Sequence, residues 1–118
     1  MLRDFLRALW LLPSVERARR AWGPAPAVEY FRQLGRTRQS RTAPQRAVLR
    51  RAVALAERLW PSEPNCYRRV LLEVAMDAGA AEEPVHFGLK AHGGPRSGHA
   101  WLGSAPDSAD SYDAALSL

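Results

Sequence analysis

One cysteine among 118 residues leaves no partner for an internal disulfide, and a cytoplasmic location is the resulting expectation. No apolar run approaches the roughly 20 residues that a membrane span needs, so stable membrane insertion is not expected. The apolar stretch from Met1 to Leu12 carries Arg3, Asp4 and Arg7. It lacks a small-residue cleavage pattern and does not read as a signal peptide. Walker and Rossmann glycine motifs are missing: Gly93-Gly94 sits in a His-Gly-Gly-Pro turn without a strand–loop–helix setting. One Cys and three scattered His make no zinc pattern, and neither a metal nor a cofactor is expected.

What is present fits one globular domain, 1–118, with 47% hydrophobic and 25% charged residues and enough length to bury an ordinary core. Charge is unevenly placed. Residues 1–58 hold 13 Arg against four acids, a balance of +9, whereas residues 59–118 balance at −4. Lys90 is the one lysine. A basic half can attract nucleic acid, anionic lipid or an acidic peptide. The plainer expectation is a solvated, Arg-rich helical surface, with no nucleic-acid partner.

Leu2, Phe5, Leu6, Leu9 and Leu12 recur at helical spacing. Pro13 predicts the end of that helix, with Ser14 capping a second one through Trp22. Val28, Phe31 and Leu34 mark a third, with Gly35 just past its end. Residues 36–41 read as a basic loop. Thr42 then caps a longer helix lined by Val48, Ala52, Leu55 and Leu59, with Pro44 in its first turn. Pro61 and Pro64 punctuate, and Asn65 is a good N-cap. Cys66 then opens a helix with a buried stripe of Val70, Leu71, Val74 and Ala75, closed by Gly79. Val85, Phe87 and Leu89 alternate with polar or small residues at strand spacing. Residues 91–97 read as a hairpin turn, 98–102 as the partner strand, and 107–118 as the source of one more short strand. The layout predicts an α+β fold: a helical lead-in over 1–59, then a core over 60–118 with a helix packed on a small antiparallel sheet.

A lone cysteine is ordinarily a small buried hydrophobe. Cys66 stands out because it follows an N-cap directly. In the first turn of a helix, unpaired backbone N–H groups and the dipole favour a thiolate and can hold an oxyanion. Three histidines could act as its base. His92 falls in the predicted turn, and His86 lies on the strand face opposite Val85 and Phe87. His99 begins the second strand, where placement is rigid.

Cys66-Tyr67-Arg68-Arg69, the apolar helix after it, Val85-His86-Phe87-Gly88-Leu89 and Gly98-His99-Ala100-Trp101-Leu102 together resemble a transglutaminase-like (papain-like) core. They are most similar to the cysteine peptidases of lasso-peptide biosynthesis, the leader peptidases. The similarity covers residues 60–102, and His99 follows Cys66 by 33 residues, which suits a helix plus one hairpin. Leu11-Leu12-Pro13 and Arg50-Arg51-Ala52-Val53 also resemble that family's helical lead-in. The resemblance implies a cysteine peptidase that removes the leader from a ribosomally made precursor. Cys66 would be the nucleophile, His99 the base, and an acid would orient the imidazole. Trp101 would form a wall beside His99, while Arg68 and Arg69 would have surface or scaffold roles. The family carries an acid soon after His-Ala-Trp, but here none occurs until Asp107. Asp110 stands at the interval expected of a hairpin return, Asp107 looks like a turn residue, and Asp113 lies further on.

The implied partners are the precursor's leader region and an ATP-dependent cyclase that takes the freed core peptide. A separate leader-recognition protein is also implied, because the helical half lacks a winged-helix strand pattern. Two alternatives stand beside the peptidase. One is a non-catalytic peptide- or partner-binding module of the same fold. The other is a cysteine acyltransferase that delivers the acyl group to an amine.

Overall fold

The computed structural model describes residues 1–89, 98–103 and 114–118. It is α+β: helices α1 (Leu2–Ala21), α2 (Pro24–Arg36), α3 (Ala43–Leu59), α4 (Cys66–Met76) and α5 (Ala78–Ala81) precede strands β1 (Val85–Leu89), β2 (His99–Leu102) and β3 (Ala114–Ser117). The strands form one antiparallel sheet in the order β2-β1-β3. The predicted turn over 91–97 lies outside the described residues. No described helix is long and apolar enough to cross a membrane.

The N-terminal region corrects the expectation of two helices. α1 runs unbroken through Pro13. The proline removes one helical hydrogen bond. A stripe of Ala8, Leu11, Leu12, Val15 and Ala18 is buried on both sides of it, and that continuous burial holds the helix together. Ser14 therefore caps nothing. α2 begins with Pro24 in its first turn and Gly23 as N-cap. Gly35 belongs to α2 rather than lying beyond it. A Cβ there would fall 1.8 Å from the Val74 carbonyl oxygen, so glycine is what lets α2 and α4 cross so closely.

Thr42 caps α3, as the sequence predicts, and the structure adds a capping box with Gln45. The buried stripe is rotated from the expected one. Leu49, Ala52, Val53, Ala56 and Glu57 face inward, while Val48, Leu55 and Leu59 remain exposed. The rotation turns Glu57 into the core, where it meets Arg68. α4 shows the predicted stripe, with Val70, Leu71, Val74 and Ala75 all buried. It ends at Met76 rather than at Gly79. Asp77 intervenes and caps α5, accepting a hydrogen bond from the Gly79 amide at 2.9 Å.

α4 is the centre of the fold: α1, α2, α3 and β2 all pack on it. The helical lead-in thus buries the core's central helix and is not a separate unit. Its arginines also reach across the chain. Arg46 pairs with Asp77 (3.1 Å) and Glu83 (2.6 Å), and Arg50 with Glu73 (3.2 Å). Arg36 reaches Glu82, and Arg32 donates to the carbonyls of Glu83 and Leu118. Part of the +9/−4 asymmetry is therefore closed internally, while Arg3, Arg17, Arg51 and Arg58 remain on the exposed helical surface that the sequence predicts.

Register fixes what each sheet face carries. Val85 pairs with Leu102, Phe87 with Ala100 and Leu116. These share the face that joins the core with α4. His86 pairs with Trp101 and Ser117, and Gly88 with His99, on the opposite face.

Candidate active site at the edge of strand β2

The site is built where the start of α4 meets β2. Asn65 is the N-cap that the sequence predicts: its side-chain oxygen accepts from the Arg68 amide at 2.9 Å. The Asn65 amide itself donates to Glu57 Oε2 at 3.0 Å. Cys66 is the first helical residue and is a half-buried free thiol. Amides in a first helical turn have no intrahelical acceptor.

Cys66 Sγ accepts a hydrogen bond from the Ala100 amide at 3.3 Å. This contact locates the sulfur. β2 is an outer strand of the described sheet, and Ala100 N–H points off its open edge. The sulfur therefore lies beside the strand, between the two sheet faces. His99 precedes Ala100 and carries its ring on the face away from α4. Cys66 and His99 both line one cavity of about 470 Å³, a size suited to a small ligand or a few peptide side chains. Pro24, Tyr67, Phe87 and Leu116 give that cavity mainly apolar walls.

Trp101 stacks on His99, with ring centroids 5.8 Å apart and planes 18° from parallel. It is buried outside the main core cluster, and His86 flanks it at 5.5 Å. His86 is engaged elsewhere: Nδ1 lies 2.6 Å from Ser117 Oγ. Of the three histidines, His99 shares a cavity with the thiol, His86 is turned to β3, and His92 lies outside the described residues. Asp107, Asp110 and Asp113 also lie outside them. No cluster that could hold a metal occurs among the described residues.

Behind the thiol stands a buried ionic support centred on Arg68. Arg68 is 1% exposed. Its guanidinium bonds to Glu57, to Glu16 Oε2 and Ser62 Oγ (each 3.0 Å), and to the Glu63 carbonyl (2.8 Å). Desolvation works to lower the Arg68 pKa, but the hydrogen bonds it donates to Glu57 and Glu16 outweigh that and raise it. Hydrogen bonding from Arg19 holds Glu16 well below the usual carboxylate range, with Arg20 and Arg68 adding to it. The segment entering α4 is thereby tied to α1 and α3.

Tyr67 and Phe87 are the walls that motif reading missed. Their rings meet edge to face at 5.2 Å. Burial pushes the Tyr67 phenol up, against the opposing pull of Arg19. Tyr67 could have been suspected from its place beside Cys66. Pro24 and Leu116 come from opposite ends of the chain and carry no local signal. No protein-family model, curated protein or solved structure matches this chain.

Proposed function

We propose that this chain is a transglutaminase-like cysteine peptidase that removes the leader from a lasso-peptide precursor, with Cys66 as nucleophile and His99 as base. The observation that carries the reading is the Ala100 amide donating to Cys66 Sγ, which ties the thiol to the strand that bears His99. Supporting it are the shared cavity and the Trp101 ring stacked on the imidazole.

In this mechanism His99 accepts the thiol proton, and the sulfur attacks the carbonyl carbon of the last leader residue. Negative charge develops on the carbonyl oxygen, and the first-turn amides of α4 are the available donors for it. His99 then protonates the leaving amine, which is the N-terminus of the core peptide. A water attacks the remaining thioester, releases the leader acid and restores the thiol. An aspartate would orient the imidazole, and Asp110 is the candidate. The freed core then passes to an ATP-dependent cyclase, and leader recognition is shared with a separate small protein.

The test is cleavage of a synthetic precursor in the presence of its leader-recognition protein, read by mass spectrometry. Cys66→Ala abolishes the leader product while keeping the parent circular-dichroism spectrum, and His99→Ala behaves similarly. Undiminished cleavage by Cys66→Ala rejects the assignment. A second reading, a non-catalytic peptide-binding module, draws on the apolar walls of the cavity, which suit side-chain binding without chemistry. An alkylation-resistant Cys66 at neutral pH favours it. An amide-linked product in place of the leader acid would instead identify acyl transfer to an amine.

A further inference from the structure

The outer face of α1 carries a second concave surface, remote in sequence from the thiol. Leu2, Leu6 and Trp10 recur every four residues and are 69%, 54% and 81% exposed. With Leu11 and Leu34 they form an apolar groove of about 730 Å³, rimmed by Arg3, Arg7 and Arg38. The same three arginines also line an adjoining polar cavity of about 450 Å³, together with Asp4, Arg41 and the polar residues Thr37, Gln39 and Ser40.

These arginines lack the counter-ions that Arg19, Arg20, Arg36, Arg41, Arg46 and Arg50 have found among the described residues. None of the three makes an ion pair among the described residues. The nearest acid, Asp4, is committed to Arg41 through two bonds of 2.8 Å. Arg38 Nε is buried without a hydrogen-bond partner. Desolvation, followed by the fields of Arg38 and Arg3, pushes the Arg7 pKa down. Positive charge beside this exposed apolar surface thus outweighs the single Asp4 carboxylate, and a carboxylate-bearing ligand would relieve both conditions.

We propose that this cleft takes an acidic amphipathic segment of a second polypeptide, its carboxylates meeting Arg3, Arg7 and Arg38 and its apolar side chains entering the Leu2–Leu6–Trp10 groove. A polypeptide fits better than a lipid surface. A bilayer would touch the protruding Leu2, Leu6 and Trp10 but would not reach the recessed Arg7 and Arg38. The inference stands apart from the cysteine chemistry.

The experiment uses the full chain labelled with ¹⁵N. The probe is a helical peptide with glutamates on one face and leucines on the other, and the control carries lysine in place of every glutamate. The glutamate peptide shifts the Trp10 indole and the Arg38 Nε–H signals, and the lysine peptide does not. Trp10→Ala and Arg38→Gln each weaken binding by about tenfold, the size of an interface hot spot, without lowering the urea midpoint. Cys66→Ala binds like the parent. Equal binding of the lysine peptide, binding unaffected by Trp10→Ala, or no shift at millimolar glutamate peptide overturns the proposal. So does perturbation of Trp10 by phosphatidylglycerol vesicles that the glutamate peptide fails to displace.

Discussion

Arg68→Ala tests the ionic support behind the thiol. The substitution removes a guanidinium that is 1% exposed and leaves Glu57, itself fully buried, facing the vacated space. Glu57 then retains the Asn65 amide and the half-exposed Arg69, whose Nε is 3.8 Å away. Glu16 fares better because Arg19 and Arg20 still hold it. Stranding one buried partner of such a pair costs about 3–5 kcal/mol. Against a total stability of about 5–15 kcal/mol, that is a large fraction. At about 4 °C per kcal/mol for a chain of this size, the melting temperature falls by about 12–20 °C. Calorimetry at neutral pH reads it directly.

The companion variant is Arg68→Met with Glu57→Gln. It keeps an acceptor for the Asn65 amide and leaves no unpaired buried charge, so it recovers most of the loss, to within about 2 kcal/mol of the parent. A loss under about 1 kcal/mol for Arg68→Ala, the value of a solvent-exposed pair, would refute the reasoning. A double variant no more stable than the single one would refute it equally. Because Arg68 also holds Ser62 and the Glu63 carbonyl, amides of residues 62–65 exchange faster in Arg68→Ala than those at the centre of α1.

Acid stability follows from Asp4 and Glu16, whose folded pKa values are lowered by hydrogen bonds from Arg41 and Arg19 respectively. Their contribution is fully present above the ordinary carboxylate range and is lost as pH falls through the lowered values, so Glu16→Gln flattens the acid limb of a urea-midpoint profile. A Glu16→Gln profile as steep as the parent's would contradict this. Glu73 works in the opposite sense, because burial raises its pKa despite Arg50, and stability declines as pH rises through the raised value. Glu73→Gln accordingly raises the midpoint at neutral pH and not at low pH. Gly35→Ala drives a methyl onto the Val74 carbonyl oxygen, and since backbone cannot yield as a side chain can, it destabilises by about 3 kcal/mol or more. The helix-propensity gain of about 1 kcal/mol for alanine over glycine does not offset that, and a neutral or stabilising Gly35→Ala in thermal melts would disprove the close α2–α4 crossing.

Local signals were legible where one residue type has one mechanical use. Thr42, and Asn65 before Cys66, are caps whose side chains bond in the manner their chemistry dictates. The period-two pattern at 85–89 and the stripe of α4 were equally plain. Where tertiary packing overrode local preference, reading failed. Pro13 favours a break, yet the apolar stripe on both sides of it is buried against α3 and α4, and the helix continues. Gly35 has the local look of a helix end, but what demands it is a carbonyl from a helix some forty residues on. The turn of α3 that buries Glu57 and exposes Leu55 could not be seen without Arg68, its partner on another helix. The charge asymmetry was visible as a sum, but its partial closure by Arg46, Arg50 and Arg36 depends on which helices lie together.

Cys66 and His99 line one cavity for a reason that lies in register. Alternation puts His99 and Ala100 on opposite faces of the sheet, and α4 packs on the Ala100 face. Were the sulfur to lie over that face, the sheet itself would separate it from the ring. The first residue of α4 instead overhangs the outer strand, and the sulfur takes the N–H that an exposed strand edge would otherwise offer to another chain. Beside the edge, a side chain on either face is a neighbour. Slipping β2 by one residue would turn the Ala100 amide into the β1 ladder and swing Trp101 onto α4, and the sulfur would lose its donor. The pairing of Val85 with Leu102 is therefore what sets the Ala100 amide on the open edge, within reach of the helix-terminal cysteine.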